Sequence, residues 1–373
     1  MNCNYDILIV GCGLSGVTMA ERFASKNKKV LIIDKRDHIG GNVYDYIDTD
    51  TNILMNKYGA HLFHTNSKKV WDYINTFDKW IRWDHEVLGN INNTHFPIPV
   101  NINTVNILCG ENISNVEEMN KWLENAQIKY NVIENSEQMG KSRVGNILYE
   151  KIFKDYTYKQ WGKWPEELDH SVLARIPIRN DFDNRYFNDK HQALPEKGYT
   201  NFISNMLNNS NITVRLNTDY FDFIKTNNIH DFNKIIYTGP IDAFYENNGL
   251  QKLEYRSIDF QIEKYKDMNY YQQTSVINYP EISIPYTRIV EYKHFLNQQS
   301  KDTLIVKEFT TDNGEPYYPV PNKLNLELYE KYKQLTLNET NVHFLGRLAN
   351  YKYFNMDAAI LNALEYFEQH FDK

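Results

Sequence analysis

Cysteine is scarce: Cys3, Cys12 and Cys109 are the only ones in 373 residues. None sits at metal-ligand spacing and Cys12 lies inside a glycine turn, so the thiols are expected to be reduced and structural, with no disulfide framework and no metal site. Long apolar runs are also lacking. The mean hydropathy is -0.62, and no stretch approaches the roughly 20 apolar residues a membrane helix needs. The opening MNCNYDILIV carries neither the basic nor the apolar segment of a signal peptide. Together these predict a soluble, cytoplasmic protein that does not engage a membrane. Positive charge is in deficit, 41 Lys and Arg against 48 Asp and Glu for a net charge of -7. General repulsion therefore argues against nucleic acid as a partner, and an anionic ligand would need a local cationic cluster.

Aromatic residues are abundant. With 28 tyrosines, a single one is read as packing, and only clusters in special contexts count. Tyr5 to Val10 is a short apolar run, a glycine turn and a helical pattern follow, and Val30 to Asp34 is a second apolar run, which together make a βαβ unit. A further helix is predicted over 66–77. The predicted division is a first segment of a Rossmann-like domain at 1–80, a mainly helical insertion at 81–155, a loop and return to the first domain at 156–210, an antiparallel sheet domain at 211–335, and a closing strand and helix at 336–373. The sheet domain is built from runs at 213–216, 234–237, 257–263 and 303–309. The fold class is therefore α/β with α+β elements.

Gly11-Cys12-Gly13-Leu14-Ser15-Gly16 stands between the first strand and its helix. Gly11 permits the tight turn, Gly13 lets backbone approach a pyrophosphate, and Gly16 lets the helix pack closely, while the helix N-terminus offers free N–H donors. Asp34 is expected to accept from a ribose hydroxyl. These residues alone leave NAD and FAD open. The segment Lys35, Arg36, Gly40, Gly41 and Asn42 favours FAD, because a basic pair and a double glycine would border its ribose, pyrophosphate and isoalloxazine. A helix starting at Met356 and capped by Asn355 could aim its positive end at a flavin.

Aromatics alternate with cations in Asp155 to Gly162, in Arg175 to Arg179 and in Asp183 to Phe187. A flat base can stack on tyrosine or tryptophan, and guanidinium groups grip a diphosphate in a forked geometry. Arg175, Arg179 and Arg288 are candidates for such a grip, although an arginine taken singly is more often paired on the surface. His61 and His64 have no metal-spaced partners and read as hydrogen-bonded core histidines, with proximity to the flavin as the alternative.

The run of motifs GCGLSG, DKRDHIGGN, YGAHLFHT, YTYKQWG, RIPIR, IIYTGPID, LEYRS, PYTRI, EPYYPV and GRLANYKYF resembles the UDP-galactopyranose mutase family in its shorter, bacterial-type branch, from the first strand nearly to the last helix. The resemblance implies an isomerase that interconverts UDP-galactopyranose and UDP-galactofuranose. Reduced FAD would act through N5 as a nucleophile on the anomeric carbon with no net redox change. An external reductant would only prime the flavin, and a homodimer is implied. By motif, Tyr156 resembles the uracil-stacking residue, Phe153, Thr157 and Trp161 the pocket walls, Arg175 a mobile clamp on the diphosphate and Arg288 a second phosphate-binding arginine. Tyr186, Tyr318 and Tyr353 resemble diphosphate-bonded tyrosines, Arg256 and Arg347 further active-site and flavin-side arginines, and His64 the histidine facing the flavin. His61 joins the cofactor set. Arg175, Arg288 and His64 are the catalytic candidates.

One position departs from the family pattern: Asn355 stands where aspartate is usual, which implies altered affinity or flavin potential rather than a different reaction. Two other readings stay open on the residues. An amine-oxidase-type flavin oxidoreductase shares the N-terminal fold, and a non-catalytic nucleotide-sugar binder is conceivable because of Asn355.

Overall fold

The structure, a computed structural model, describes residues 5–372; Cys3 lies outside the described residues. Val30–Ile33 is buried throughout and Ile7–Val10 nearly so, as strands covered on both faces must be. They belong to a parallel sheet in the order Ile212–Arg215, Val30–Ile33, Ile7–Val10, Lys234–Tyr237, Val342–Phe344. The helix Leu14–Ser25 crosses between the first two strands, and the last helix, Met356–His370, packs on it with Phe23 and Phe367 edge to face at 5.0 Å.

One sequence expectation fails here. The runs near 213–216 and 234–237 are not strands of the antiparallel sheet: Ile212–Arg215 and Lys234–Tyr237 return to the parallel one. A four-residue apolar run carries no mark of its partner, and these pairings close over some 180 to 230 residues of chain. The insertion at 81–155 opens on extended chain around Pro97 before its helices begin. Val87–Ile91 and Thr94–Ile98 form a hairpin whose turn residues Asn92 and Asn93 both take positive φ, the conformation that favours asparagine in two-residue hairpin turns.

That hairpin is the edge of a seven-stranded sheet in the order Tyr318–Pro319, Tyr255–Tyr265, Thr303–Thr311, Arg288–Glu291, Val276–Asn278, Val87–Ile91, Thr94–Ile98. Its pairings are antiparallel except for Val276–Asn278 with Val87–Ile91. A third, smaller sheet sets Phe63–Thr65 and Trp80–Arg82 on either side of His191–Pro195. The helical part follows the hairpin: Ile102–Cys109, Val116–Ala126, Ser136–Leu148, a π-helical stretch Tyr149–Lys154 and Asp155–Trp161. The last of these stops at Gly162, which takes φ +66°, an ordinary helix end for glycine.

Candidate active site

A cleft of about 350 Å³ opens over the C-terminal ends of the parallel strands, where open α/β sheets bind their ligands. Gly11, Gly13, Leu14, Ser15 and Gly16 form its floor, and Asp34, Lys35 and Arg36 lie at the end of the second strand. Gly40, Gly41 and Asn42 come from the next turn, and His61, Arg347 and Met356 close the far side. Two glycine turns cross here: a Cβ on Gly41 would lie 2.8 Å from the Gly13 Cα, and one on Gly16 would collide with the Gly11 carbonyl oxygen. The cradle thus accepts a group lying directly on bare backbone, which fits the pyrophosphate of a dinucleotide such as FAD.

Asp34 is held in place by the turn itself. Its Oδ2 accepts from the Cys12 N–H at 2.7 Å and its Oδ1 from the Arg36 N–H at 2.9 Å, and its remaining lone pairs can receive ribose hydroxyls. Arg36 lies over the Tyr58 ring at 4.3 Å and donates to Asn42 Oδ1 at 2.9 Å, while Lys35 pairs with Glu315 at 2.7 Å. The basic pair shapes the rim rather than offering free charge. Cys12 is buried, and burial, then Asp34, pushes its thiol up to about 12, so it is unreactive.

A second cleft of about 560 Å³ shares His61, Arg347, Asn355 and Met356 with the first. The two therefore meet at one junction. One wall is the helix Asp155–Trp161, which contributes Tyr156, Thr157 and Trp161. Trp161 meets Tyr318 edge to face at 6.4 Å, and Tyr318 stacks on Tyr353 at 5.6 Å. Arg175 and Arg347 lie over the Tyr353 ring at 4.4 and 5.0 Å, a cation–π arrangement. Burial opposes ionisation of Tyr353, but Arg175 and Arg347 outweigh it and bring the phenol below its ordinary range. The same cationic field would stabilise a diphosphate. Tyr186 lines this cleft too, its phenol raised mainly by burial.

Arg288 heads the strand Arg288–Glu291 and stands in register with Glu308 on its neighbour. Its Nε donates to Glu308 Oε2 at 2.7 Å, which leaves the two terminal nitrogens for a ligand. Burial disfavours the charge, and Glu308 more than restores it, so the guanidinium is held firmly cationic. His64 stacks on Phe187 at 3.8 Å and sets Nδ1 2.9 Å from Asp189 Oδ2. The strand register His64↔Gln192 brings the turn before His191–Pro195 over the imidazole. Burial holds His61 down to about 4 and His85 down to about 3, with Arg288 adding to both. Both rings are therefore neutral at pH 7.

Three sequence candidates lie elsewhere, and one keeps its place without its expected contact. Phe153 is buried in the π-helical stretch and does not line the cleft. Arg256 is buried behind the helix end, where it pairs with Asp312 and donates from Nε to the Gln160 carbonyl at 3.2 Å; it also fills the space beside Gly162, a supporting place rather than a ligand-facing one. Arg179 is spent within its own loop, bonded to Asp183 at 3.1 Å and to the carbonyls of Arg185 and Phe187. Asn355 holds the N-cap position of the last helix, but its side chain makes no capping hydrogen bond; it faces both clefts instead.

Glu308, Asp189, His85, Asn278 and Tyr58 also belong to this site, and the sequence reading missed them. The first two act on a residue far away in sequence, and only strand register reveals them. His85 sits in the short loop between Trp80–Arg82 and Val87–Ile91, and Asn278 ends an apolar strand run, with no motif around either.

Fold and site define a dinucleotide-binding α/β protein whose first cleft meets a second one lined by aromatic rings and arginines. The UDP-galactopyranose mutase family model matches residues 151–353, and an NAD(P)-binding Rossmann-like model matches 9–77. The chain is 37% identical to a Klebsiella pneumoniae protein named a probable UDP-galactopyranose mutase, over 97% of this chain and 94% of that one. It is 35% identical to the dTDP-fucopyranose mutase of Escherichia coli, over 96% of each. It is also 35% identical to the UDP-galactopyranose mutase of Mycoplasma genitalium, over 98% of this chain and 95% of that one. Among solved structures, a reduced UDP-galactopyranose mutase superposes with a TM-score of 0.77 at 15% identity, covering 98% of this chain and 95% of that one. The chain belongs to the UDP-galactopyranose mutase family, whose cofactor is FAD. Among the described residues, no helix is long and apolar enough to cross a membrane.

Proposed function

We propose that the protein interconverts UDP-galactopyranose and UDP-galactofuranose with no net redox change, and that the junction of the two clefts is where the sugar reacts. The observation that supports this reading is that His61, Arg347, Asn355 and Met356 line both clefts, so that a sugar in the second could meet the cofactor in the first. The first cleft, floored by Gly11, Gly13 and Gly16, would hold FAD, which when reduced would supply a nucleophile through N5. The chain's own residues do the rest. Tyr156 and Trp161 offer faces for the uracil, while Arg175, Arg288 and Arg347, with Tyr186, Tyr318 and Tyr353, hold the diphosphate and neutralise it as it leaves the sugar. His64, with Nδ1 bonded to Asp189, lines the second cleft. The positioning of three bodies in a closed cleft is the main catalytic device. An external reductant, a homodimer and a cytoplasmic location complete this reading.

The similarity to a dTDP-fucopyranose mutase supports a second substrate pair, dTDP-fucopyranose and dTDP-fucofuranose. That pair differs by a methyl on the base, by loss of the ribose 2′-hydroxyl and by loss of the sugar's 6-hydroxyl. Reduced enzyme should be given each furanose form in parallel and product followed by chromatography. The proposal expects the larger kcat/KM with UDP-galactofuranose; a larger value with the thymidine nucleotide would transfer the assignment.

A further inference from the structure

The mechanism leaves unused a lysine that is almost fully buried and has no carboxylate bonded to it. Lys159 lies on the helix Asp155–Trp161 and is 9% exposed. Its Nζ is enclosed by four backbone carbonyls: those of Glu281, Ile284 and Tyr286 at 3.1, 2.9 and 2.9 Å, and that of Tyr279 closer still. All four come from one loop, 279–286, which joins Val276–Asn278 to Arg288–Glu291. Pro280 and Pro285 lie in this loop and lack N–H donors, so its carbonyls turn inward with few internal partners. Without a cation, several carbonyl dipoles would face one another in a buried space, at about 1–3 kcal/mol for each unsatisfied acceptor. Burial pulls the ammonium down to about 8, which leaves it charged at neutral pH, and the four carbonyls favour that charged form.

Both ends of this link carry the site. Tyr156, Thr157, Gln160 and Trp161 on the helix line the second cleft. The base of the hairpin is the register pair Asn278↔Arg288, and both residues line the same cleft. The Lys159 backbone carbonyl is tied in turn by Thr310 Oγ1 from the strand Thr303–Thr311. We infer that Lys159 is a positioning residue: its ammonium pins the 279–286 hairpin to the Asp155–Trp161 helix, and so fixes the distance between the wall that takes the base and the arginine that takes the diphosphate. This rests on the second cleft being the UDP site.

Four carbonyl oxygens around one cation also form the kind of environment that strips the water from potassium. This makes the inference testable by rescue. UDP affinity should be measured by calorimetry on the FAD-loaded wild type, Lys159→Met and Lys159→Ala, in potassium, ammonium, sodium and choline chlorides at equal ionic strength. Wild type should bind UDP alike in all four; failure of wild type to bind at all would count against the cleft assignment, not against Lys159. Lys159→Met should weaken UDP binding at least tenfold with FAD content retained. Lys159→Ala should be weak in choline and recover severalfold in ammonium or potassium. Both variants binding UDP as wild type does would overturn the inference, and so would equal weakness of Lys159→Ala in all four salts. If neither variant folds, hydrogen exchange on the wild type decides: the bonded amides of Ile284 and Thr287 should exchange as slowly as those of 303–311 without any ligand, and fast exchange at both would show that the lysine holds nothing.

Discussion

Replacing Glu308 by glutamine should make the protein less stable and its UDP binding tighter. The Gln amide oxygen can accept the bond that Arg288 Nε now gives to Glu308 Oε2 at 2.7 Å, so the guanidinium keeps its orientation and only charge changes. In the free protein the Glu308 side chain, 2% exposed, is the anion that compensates Arg288. Removing one partner of a fully buried pair costs about 3–5 kcal/mol. The Arg288 side chain is 26% exposed to the cleft, and water there reduces the expected loss to roughly 1–2 kcal/mol. A fall of a few degrees in Tm follows. When UDP enters, its diphosphate takes over the compensation and no longer faces a carboxylate behind the arginine. The same roughly 1–2 kcal/mol then returns as affinity, about 5- to 30-fold in Kd. Thermal melts of FAD-loaded wild type and Glu308→Gln, with and without UDP, and calorimetric titration of UDP measure both signs. An unchanged Tm together with unchanged or weaker UDP binding would refute the argument, because Glu308 would then not be what balances Arg288.

Asp189→Asn should lower kcat by about 100-fold or more while FAD content stays normal, because an amide N–H facing His64 Nδ1 reverses the ring tautomer that an acceptor-only carboxylate sets; wild-type kcat with a reversed tautomer, read from imidazole nitrogen shifts, would contradict this. Gly16→Ala should lose about 1–3 kcal/mol of stability and most of its FAD, since the new Cβ meets the Gly11 carbonyl oxygen; flavin absorbance per protein checks it. An unfolded histidine titrates near 6.5, whereas His85 is held to about 3 in the fold. Between those values only the unfolded chain takes up the proton, so stability should fall as pH drops from about 6.5 toward 3, and His85→Phe should flatten that slope in urea titrations. Asn355→Asp should change the flavin potential or KM without changing the product, as potentiometry and kinetics would show.

The residues of the bare-backbone cradle are the ones whose arrangement is carried by local sequence. GCGLSG states its turn, its bare backbone and its helix in six consecutive residues, and the structure sets them on the floor of one cleft. Thr157 and Trp161 stand four residues apart on one helix and so share a face, whereas Tyr156 was joined to them only by the resemblance of its motif. Roles that depend on a partner across strands were not legible. Nothing near Arg288 marks Glu308 as its partner 20 residues on, and His64 gains Asp189 only through a pairing that joins residues 125 apart. Arg256 shows the converse: its motif looks like those around it, but the fold turns it behind the helix end, where Asp312 and the Gln160 carbonyl hold it. The four-residue runs at 212–215 and 234–237 were equally ambiguous, because β-propensity is the same for a parallel and an antiparallel home.

The central claim is that reducing equivalents are needed to prime the flavin but are not consumed. Protein with FAD bound should be reduced once, anaerobically, by a measured stoichiometric amount of dithionite, and then given a large excess of UDP-galactofuranose with no further reductant. The account predicts conversion to UDP-galactopyranose over many turnovers per FAD, with the flavin still reduced at the end and none of this activity before reduction. Product limited to one equivalent per FAD, or flavin reoxidised in step with product, would contradict it and point to an oxidoreductase.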